Sequence, residues 1–174
     1  MKIGITGGIG SGKTFVCNQL REKGYPVYDC DHEAKRLMVE DPEIINGLKM
    51  MAGADCYKED GSLNVPFVAQ FLFASPENQA RLNQLVHPRV KADFLRWADT
   101  QTADKVFLES AILFEAGFRD VVDSVGFVDA PLETRIQRIM QRDNTTREHA
   151  EQWISRQMPD EEKRRLSDFV INNG

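Results

Sequence analysis

Residues 7–14 read Gly7-Gly8-Ile9-Gly10-Ser11-Gly12-Lys13-Thr14, a gapless fit to the pattern G-x-x-x-x-G-K-[ST]. The chemistry of that pattern is the binding of a nucleotide polyphosphate. Glycines let the backbone turn where a Cβ would forbid it and approach phosphate oxygens closely. Lys13 then reaches the β/γ-phosphates and the Thr14 hydroxyl ligates Mg²⁺. Gly8, Ile9, Gly10, Ser11 and Gly12 complete the expected cradle. Two carboxylates follow in Asp29-Cys30-Asp31. Beside a phosphate site, carboxylates either hold the water shell of a metal ion or accept the proton of an attacking hydroxyl. Alternatively, Asp29 and Asp31 belong to a solvated turn that caps a helix. Further along, Arg135, Arg138 and Arg142 lie three and four residues apart and so share one helix face, with Arg147 in the next helix. Such a face closes over a polyphosphate as a lid, or else it is a charged surface paired with Glu133, Asp143 and Glu148.

These side chains need elements to hold them. Lys2–Thr6 reads as a short buried strand and Thr14–Glu22 as a helix, so the loop between them faces the positive end of a helix. Gly24 suits the helix C-cap, and Tyr25–Tyr28 makes a second strand that delivers Asp29 and Asp31 at its carboxyl end. In an open α/β sheet, ligands bind at that end. Residues 32–100 are mostly helical, with a turn at Lys58–Ser62. Leu82, Leu85, Val86, Val90, Phe94, Leu95 and Trp97 recur at helical spacing, and Pro88 is expected to kink or break that helix near His87. His87, Arg89 and Lys91 cluster there, a set suited to an anion but equally to a solvated helix face. Lys105–Glu109 is the third strand, with Glu109 where a metal-side carboxylate is expected. Ser124–Val128 and Asp168–Asn172 are the fourth and fifth.

Composition narrows the function. The 174 residues suit one domain with an inserted subdomain. A formal charge of −5 argues against a nucleic-acid binder. No apolar run approaches the ~18 residues of a membrane span, and the N-terminal stretch belongs to the phosphate loop rather than to a signal peptide. Cys17, Cys30 and Cys56 have neither zinc-site nor disulfide spacing, which fits a reducing cytoplasm. A monomer is the expected state, with an oligomer left open.

The ordered set of motifs resembles the dephospho-coenzyme A kinase family over nearly the whole chain. Its carriers are TGGIGSGKT, Asp29-x-Asp31, the EDGSLN turn, Leu85-Val86-His87-Pro88, Leu113-Phe114-Glu115, Gln141-Arg142-Asp143, Gln157-Met158-Pro159 and Asp168-Phe169-Val170-Ile171. The resemblance implies an α/β, P-loop NTPase-type three-layer fold with a five-stranded parallel sheet. The core would cover about 1–31, 104–130 and 166–174, a helical substrate-binding insertion about 32–103, and a helical lid about 131–165. It also implies phosphoryl transfer from ATP, with Mg²⁺, to the ribose 3′-hydroxyl of dephospho-coenzyme A. On that basis Asp31 accepts the hydroxyl proton and Asp29 lies nearer the metal. Arg142 closes on the γ-phosphoryl, supported by Arg138 or Arg147, and Asn172 lies near the adenine. His87, Phe114 and Glu115 are expected to meet the acceptor. The chain departs from the family in having Glu109-Ser110-Ala111 where Asp-x-Pro is common, and Val170-Ile171-Asn172-Asn173 for Val-Ile-Asp-Asn. Relatives continue into a further helix, so this C-terminus is expected to be short or trimmed.

The rival readings are three. The nearest is another P-loop kinase, acting on a nucleoside monophosphate or shikimate; the helical insertion and the His87-Pro88 motif argue for a larger acceptor, and a panel of acceptors would decide. A GTP-dependent switch would need an N-K-x-D motif, and none occurs. An ATP-binding scaffold would show no turnover with any acceptor.

Overall fold

The computed structural model describes all 174 residues. Five strands, β1 (Lys2–Thr6), β2 (Val27–Asp29), β3 (Val106–Glu109), β4 (Ser124–Asp129) and β5 (Phe169–Asn172), form one sheet in the order β2-β3-β1-β4-β5. Every neighbouring pair is parallel. The central strands read as near-continuous apolar runs because both their faces are covered. Ile3 and Ile5 of β1, Phe107 of β3 and Val128 of β4 pack with Val16 and Cys17 of α1 (Lys13–Glu22) in one cluster. From β1 the chain goes to one side of the sheet, through β2 to β3, and from β3 it goes to the other. The carboxyl ends of β1 and β3 therefore flank the reversal point where open α/β sheets bind ligands.

Local chemistry sets the element ends. Gly12 caps α1 in the left-handed region at φ 90°, which a side chain would strain. At the other end Gly24, with φ 91°, donates its N–H to Arg21 O while Tyr25 N–H reaches Leu20 O. That paired bonding turns the chain sharply into β2. After β4, α6 (Leu132–Asp143) ends at Asn144, whose φ of 49° and N–H bond to Met140 O close the helix. Thr146 then caps α7 (Arg147–Ser155) by accepting from His149 N. Ile136, Ile139 and Ala150 are buried between these two helices, and Ile9 of the phosphate loop packs against them. The short α8 (Asp160–Leu166) leads into β5.

The chain separates into two compact units, Met1–Asp29 with Trp97–Gly174, and Cys30–Arg96. The second is helical: α2 (Cys30–Glu40), α3 (Pro42–Ala52), α4 (Val65–Ala74) and most of α5 (Pro76–Asp99). Asp41 caps α3 by accepting from Glu43 N and Ile44 N, with Pro42 at the first helical position. The expected turn is present, Ser62 N donating to Asp60 Oδ1 between the bridged Tyr57 and Leu63.

One expectation, a break of the helix at Pro88, is corrected. α5 runs unbroken for 24 residues through Pro88. Its buried stripe of Leu82, Val86, Val90 and Phe94 continues at i, i+4 on both sides of the proline, whose own ring is exposed. Packing of that stripe outweighs the roughly 3 kcal/mol that an internal proline costs.

Candidate active site

The phosphate loop leaves β1 and enters α1 at the carboxyl edge of the sheet. The first turn of a helix has N–H groups without intrahelical partners, so they point back across the loop with the positive end of the helix dipole. Lys13 Nζ lies 3.3 Å from Gly8 O, folded over the loop it serves. The Ser11 hydroxyl is buried and finds no partner within the protein, as an orphan donor at an anion site would.

The loop's carbonyls are held from behind. Arg135 donates through Nε to Ile9 O at 3.0 Å. Arg138 Nη1 reaches Gly10 O at 3.3 Å and Ser11 O at 3.1 Å, and its Nη2 bonds Asn173 O at 2.7 Å. Asn173 Nδ2 also donates to Ser11 O, and Gln157 Oε1 accepts from Ile9 N at 2.8 Å. Carbonyls tied outward leave the remaining amides turned inward. A Cβ on Gly8 would collide with the Arg135 guanidinium, which is how closely that arginine backs the loop.

This divides the arginines that share a face in the sequence. Arg135 is not a solvated residue: it is 2% exposed and paired with Asp160. Burial lowers its pKa, and the charges of Asp160 and Asp129 oppose that shift. Arg138 is occupied with loop carbonyls. Arg142 and Arg147 are exposed; Arg142 pairs with Asp143 at 2.8 Å, and Arg147 with Glu133 at 2.7 Å and Glu151 at 2.9 Å. The charged-surface pairing with Glu133 and Asp143 is therefore present in this state.

On the metal side, Thr14 Oγ1 donates to Glu109 Oε1 at 3.3 Å. Glu109 ends β3 in register with Asp29 at the end of β2. Burial and the charge of Asp29 raise the Glu109 pKa, while Lys13 and Arg21 counter it. Cys17 is fully buried in the cluster of α1 and the sheet; burial and Glu109 push its thiol up to about 12, which keeps it protonated at neutral pH. Asp31 stands exposed in the first turn of α2, in the second unit.

Asn172, at the end of β5, lines a pocket of about 510 Å³ with Asp129, Ala130, Pro131, Asp160, Glu161 and Arg164. A base-sized ligand fits such a volume. Phe114 is half-buried, and Glu115 faces the ammonium of Lys163 at 3.5 Å. His87 is half-buried in the second unit; burial, then the charge of Lys91, lowers its pKa and keeps it neutral at pH 7. Arg89 is engaged by Asp41 at 2.9 Å and Glu43 at 3.2 Å, which removes it from the cationic cluster read in the sequence. Sequence reasoning passed over Gln157, Asp160 and Lys163 as site residues. Only Gln157 carried a signal, in the Gln-Met-Pro motif.

The dephospho-CoA kinase family model matches residues 1–174. A dephospho-CoA kinase of Bacteroides fragilis is 44% identical over 99% of this chain and 84% of its own length. Among solved structures, TT1252 of Thermus thermophilus superposes with a TM-score of 0.86 at 36% identity, covering all of this chain and 88% of that one. The dephospho-CoA kinase of Campylobacter jejuni gives a TM-score of 0.72 at 24% identity over 99% of this chain and 89% of that one, a likeness of fold. A phosphate loop on a parallel five-stranded sheet, matched from its first residue to its last by one family, leaves one assignment: the chain belongs to the dephospho-CoA kinase family.

Proposed function

We infer that this chain transfers the γ-phosphoryl group of ATP to the ribose 3′-hydroxyl of dephospho-CoA, giving CoA and ADP, the last step of CoA biosynthesis. The observation that carries the chemistry is the phosphate loop, its carbonyls tied outward by Arg135, Arg138 and Asn173, with Lys13 and Thr14 at its mouth. Family membership selects the acceptor.

In this reading the loop amides and Lys13 bind and orient the β/γ-phosphates. The 3′-oxygen attacks the γ-phosphorus, the bond from that phosphorus to the β–γ bridging oxygen breaks, and Asp31 takes the hydroxyl proton. Arg142, with Arg147 in support, leaves its exposed carboxylate partner to meet the γ-phosphoryl. Asn172 and its pocket take the adenine of ATP. His87, Phe114 and Glu115 hold the acceptor, with the Cys30–Arg96 unit as its subdomain. Most of the acceleration comes from positioning and electrostatics, since phosphoryl transfer asks little covalent chemistry of the protein.

The donors fit Mg²⁺. Thr14, Glu109 and Asp29 offer hard oxygen ligands, with Glu109 and Asp29 in register at the ends of neighbouring strands and Thr14 Oγ1 on Glu109. No group of three or more acidic, His or Cys side chains is built to chelate a metal, and Mg²⁺ normally takes one or two carboxylates with substrate phosphates and water. When bound, the ion neutralises charge on the β/γ-oxygens. No helix is long and apolar enough to cross a membrane. Three free, buried cysteines accord with a cytoplasmic site of action.

Mass spectrometry after mixing the protein with ATP, Mg²⁺ and dephospho-CoA tests the reading. A product heavier by one phosphoryl group on the ribose supports it. Transfer to nucleoside monophosphates or shikimate instead, or to no acceptor, overturns it.

A further inference from the structure

Two buried cations, Lys163 and Arg135, converge on α8. Lys163 is fully buried, a rare place for an ammonium. It donates to Ala111 O at 2.8 Å and faces Glu115 at 3.5 Å. Both belong to the turn that follows β3. One helical turn earlier, Asp160 pairs with Arg135, which is itself buried and donates to Ile9 O. Just before the helix, Gln157 accepts from Ile9 N. A seven-residue helix thus grips two separate loops, the phosphate loop at Ile9 and the Ala111–Glu115 turn.

The grips are of a kind that holds geometry. A buried charge is costly unless it is paired and hydrogen-bonded, so each arm is held in one arrangement by the penalty for leaving it. An apolar contact would tolerate sliding; a charge-assisted hydrogen bond to a single carbonyl does not.

We propose that α8 is a positioning strut with two arms, Asp160 holding the phosphate loop through Arg135 and Lys163 holding the Ala111–Glu115 turn against which the acceptor sits. The second arm rests on the assignment of Phe114 and Glu115 to the acceptor. Neither Lys163 nor Arg135 touches the reacting atoms. Both act through the loops they fix, and they act on different substrates.

The test compares Lys163→Met, Lys163→Gln and Arg135→Gln in the full chain. Glutamine at 163 keeps a donor for Ala111 O, methionine does not, and Asp160 can turn to water when Arg135 is replaced because its side chain is 29% exposed. Each variant is measured for ATP dissociation constant without acceptor, for kcat and KM of dephospho-CoA at saturating ATP, and for Tm. Lys163→Met should lower kcat/KM for dephospho-CoA about tenfold with ATP affinity within threefold, and Lys163→Gln should recover most of it. Arg135→Gln should weaken ATP binding about tenfold and change the acceptor KM less than threefold. A purely structural role predicts a lower Tm with unchanged constants per folded molecule; that result, or equal shifts of both substrates in all variants, overturns the proposal. If Lys163→Met does not fold, Lys163→Gln is read for its residual loss, which should fall on kcat/KM for dephospho-CoA with ATP affinity within threefold; a loss confined to ATP affinity, the pattern expected of Arg135→Gln, overturns the acceptor arm. Amide exchange over Ala111–Glu115 needs no acceptor: it should quicken in Lys163→Met and not in Arg135→Gln. That readout judges the strut even if the wild-type protein proves inert toward dephospho-CoA, an outcome that would refute the acceptor assignment alone.

Discussion

Lys13 is the side chain whose loss isolates the electrostatic contribution. It lies over the loop on Gly8 O, so Lys13→Ala should leave the fold intact and lower turnover by ~10²-fold or more. Normal turnover in the folded variant would remove the loop from the mechanism. The two carboxylates divide by consequence. Asp31→Asn should lower kcat strongly with ATP affinity near normal, whereas Asp29→Asn, in register with Glu109, should raise the Mg²⁺ requirement. Kinetics across a Mg²⁺ titration checks this, and rescue of Asp31→Asn by added Mg²⁺ would reverse the roles. In the proposed mechanism Arg142 exchanges Asp143 for the γ-phosphoryl, and an exposed pair of that kind holds it by only ~0–1 kcal/mol. Arg142→Ala and Arg142→Lys should each lower kcat by roughly two orders of magnitude with little change in ATP KM, because an ammonium lacks the planar two-donor fork. Arg165, exposed on α8, is the solvated control, since Arg135 is buried. Equal effects of Arg142→Ala and Arg165→Ala in steady-state kinetics would end the lid role.

At the scale of elements, α6 meets two environments along one helix. Its first two turns face the phosphate loop through Arg135 and Arg138, and its last turn presents Arg142 to solvent. The lid proposed for this region would need to move only the outer part of α6, leaving the contacts of Arg135 and Arg138 with the loop in place. The continuity of α5 gives a sharper test. Pro88 leaves Gln84 O without its usual N–H partner and its ring faces solvent. Pro88→Ala should therefore raise stability by ~1–3 kcal/mol, read from the midpoint of denaturant unfolding. A destabilised variant would mean that α5 requires the local geometry proline imposes.

For the molecule as a whole, the Cys30–Arg96 unit depends on buried carboxylates. Asp93 accepts from Arg36 at 2.6 Å and Arg96 at 2.9 Å, and Asp41 both caps α3 and pairs with Arg89. Burial pushes the Asp41 pKa up, but Arg89 and the amides of Glu43 and Ile44 outweigh it, so the net shift is down from 3.8. The unfolded chain then takes up this proton first. The contribution to stability is complete above pH 3.8 and is lost as pH falls from there through the lower folded value. His87, also depressed, contributes fully above 6.5 and loses its share as pH falls below that. Asp41→Ala should cost ~1–3 kcal/mol at pH 7, since it removes a cap and leaves Arg89 without its main partner. It should also flatten the stability curve below about pH 4, which urea titrations from neutral to acid pH would reveal. An unchanged acid limb would assign acid sensitivity to other groups.

Sequence alone determined whatever depends on neighbours along the chain. The phosphate loop, its flanking strand and helix, Gly24 as a cap, the 58–62 turn and all five strands follow from local glycine freedom, apolar runs and capping chemistry, and the ordered motifs carried the family. Tertiary structure decided what depends on which neighbours a residue meets across space. Arg135, Arg138 and Arg142 lie on one face and look equivalent, yet the sheet places the phosphate loop beside the first two and solvent beside the third. Pro88 reads as a break until the buried stripe on both sides of it is seen to pack as one. Lys163 looks like one more solvated charge in a run of charged residues, and only the return of β5 to the sheet edge brings its ammonium under Ala111 O and away from water. Burial and partnership of a charge are set by contacts between residues distant in sequence, and periodicity along a chain does not encode them.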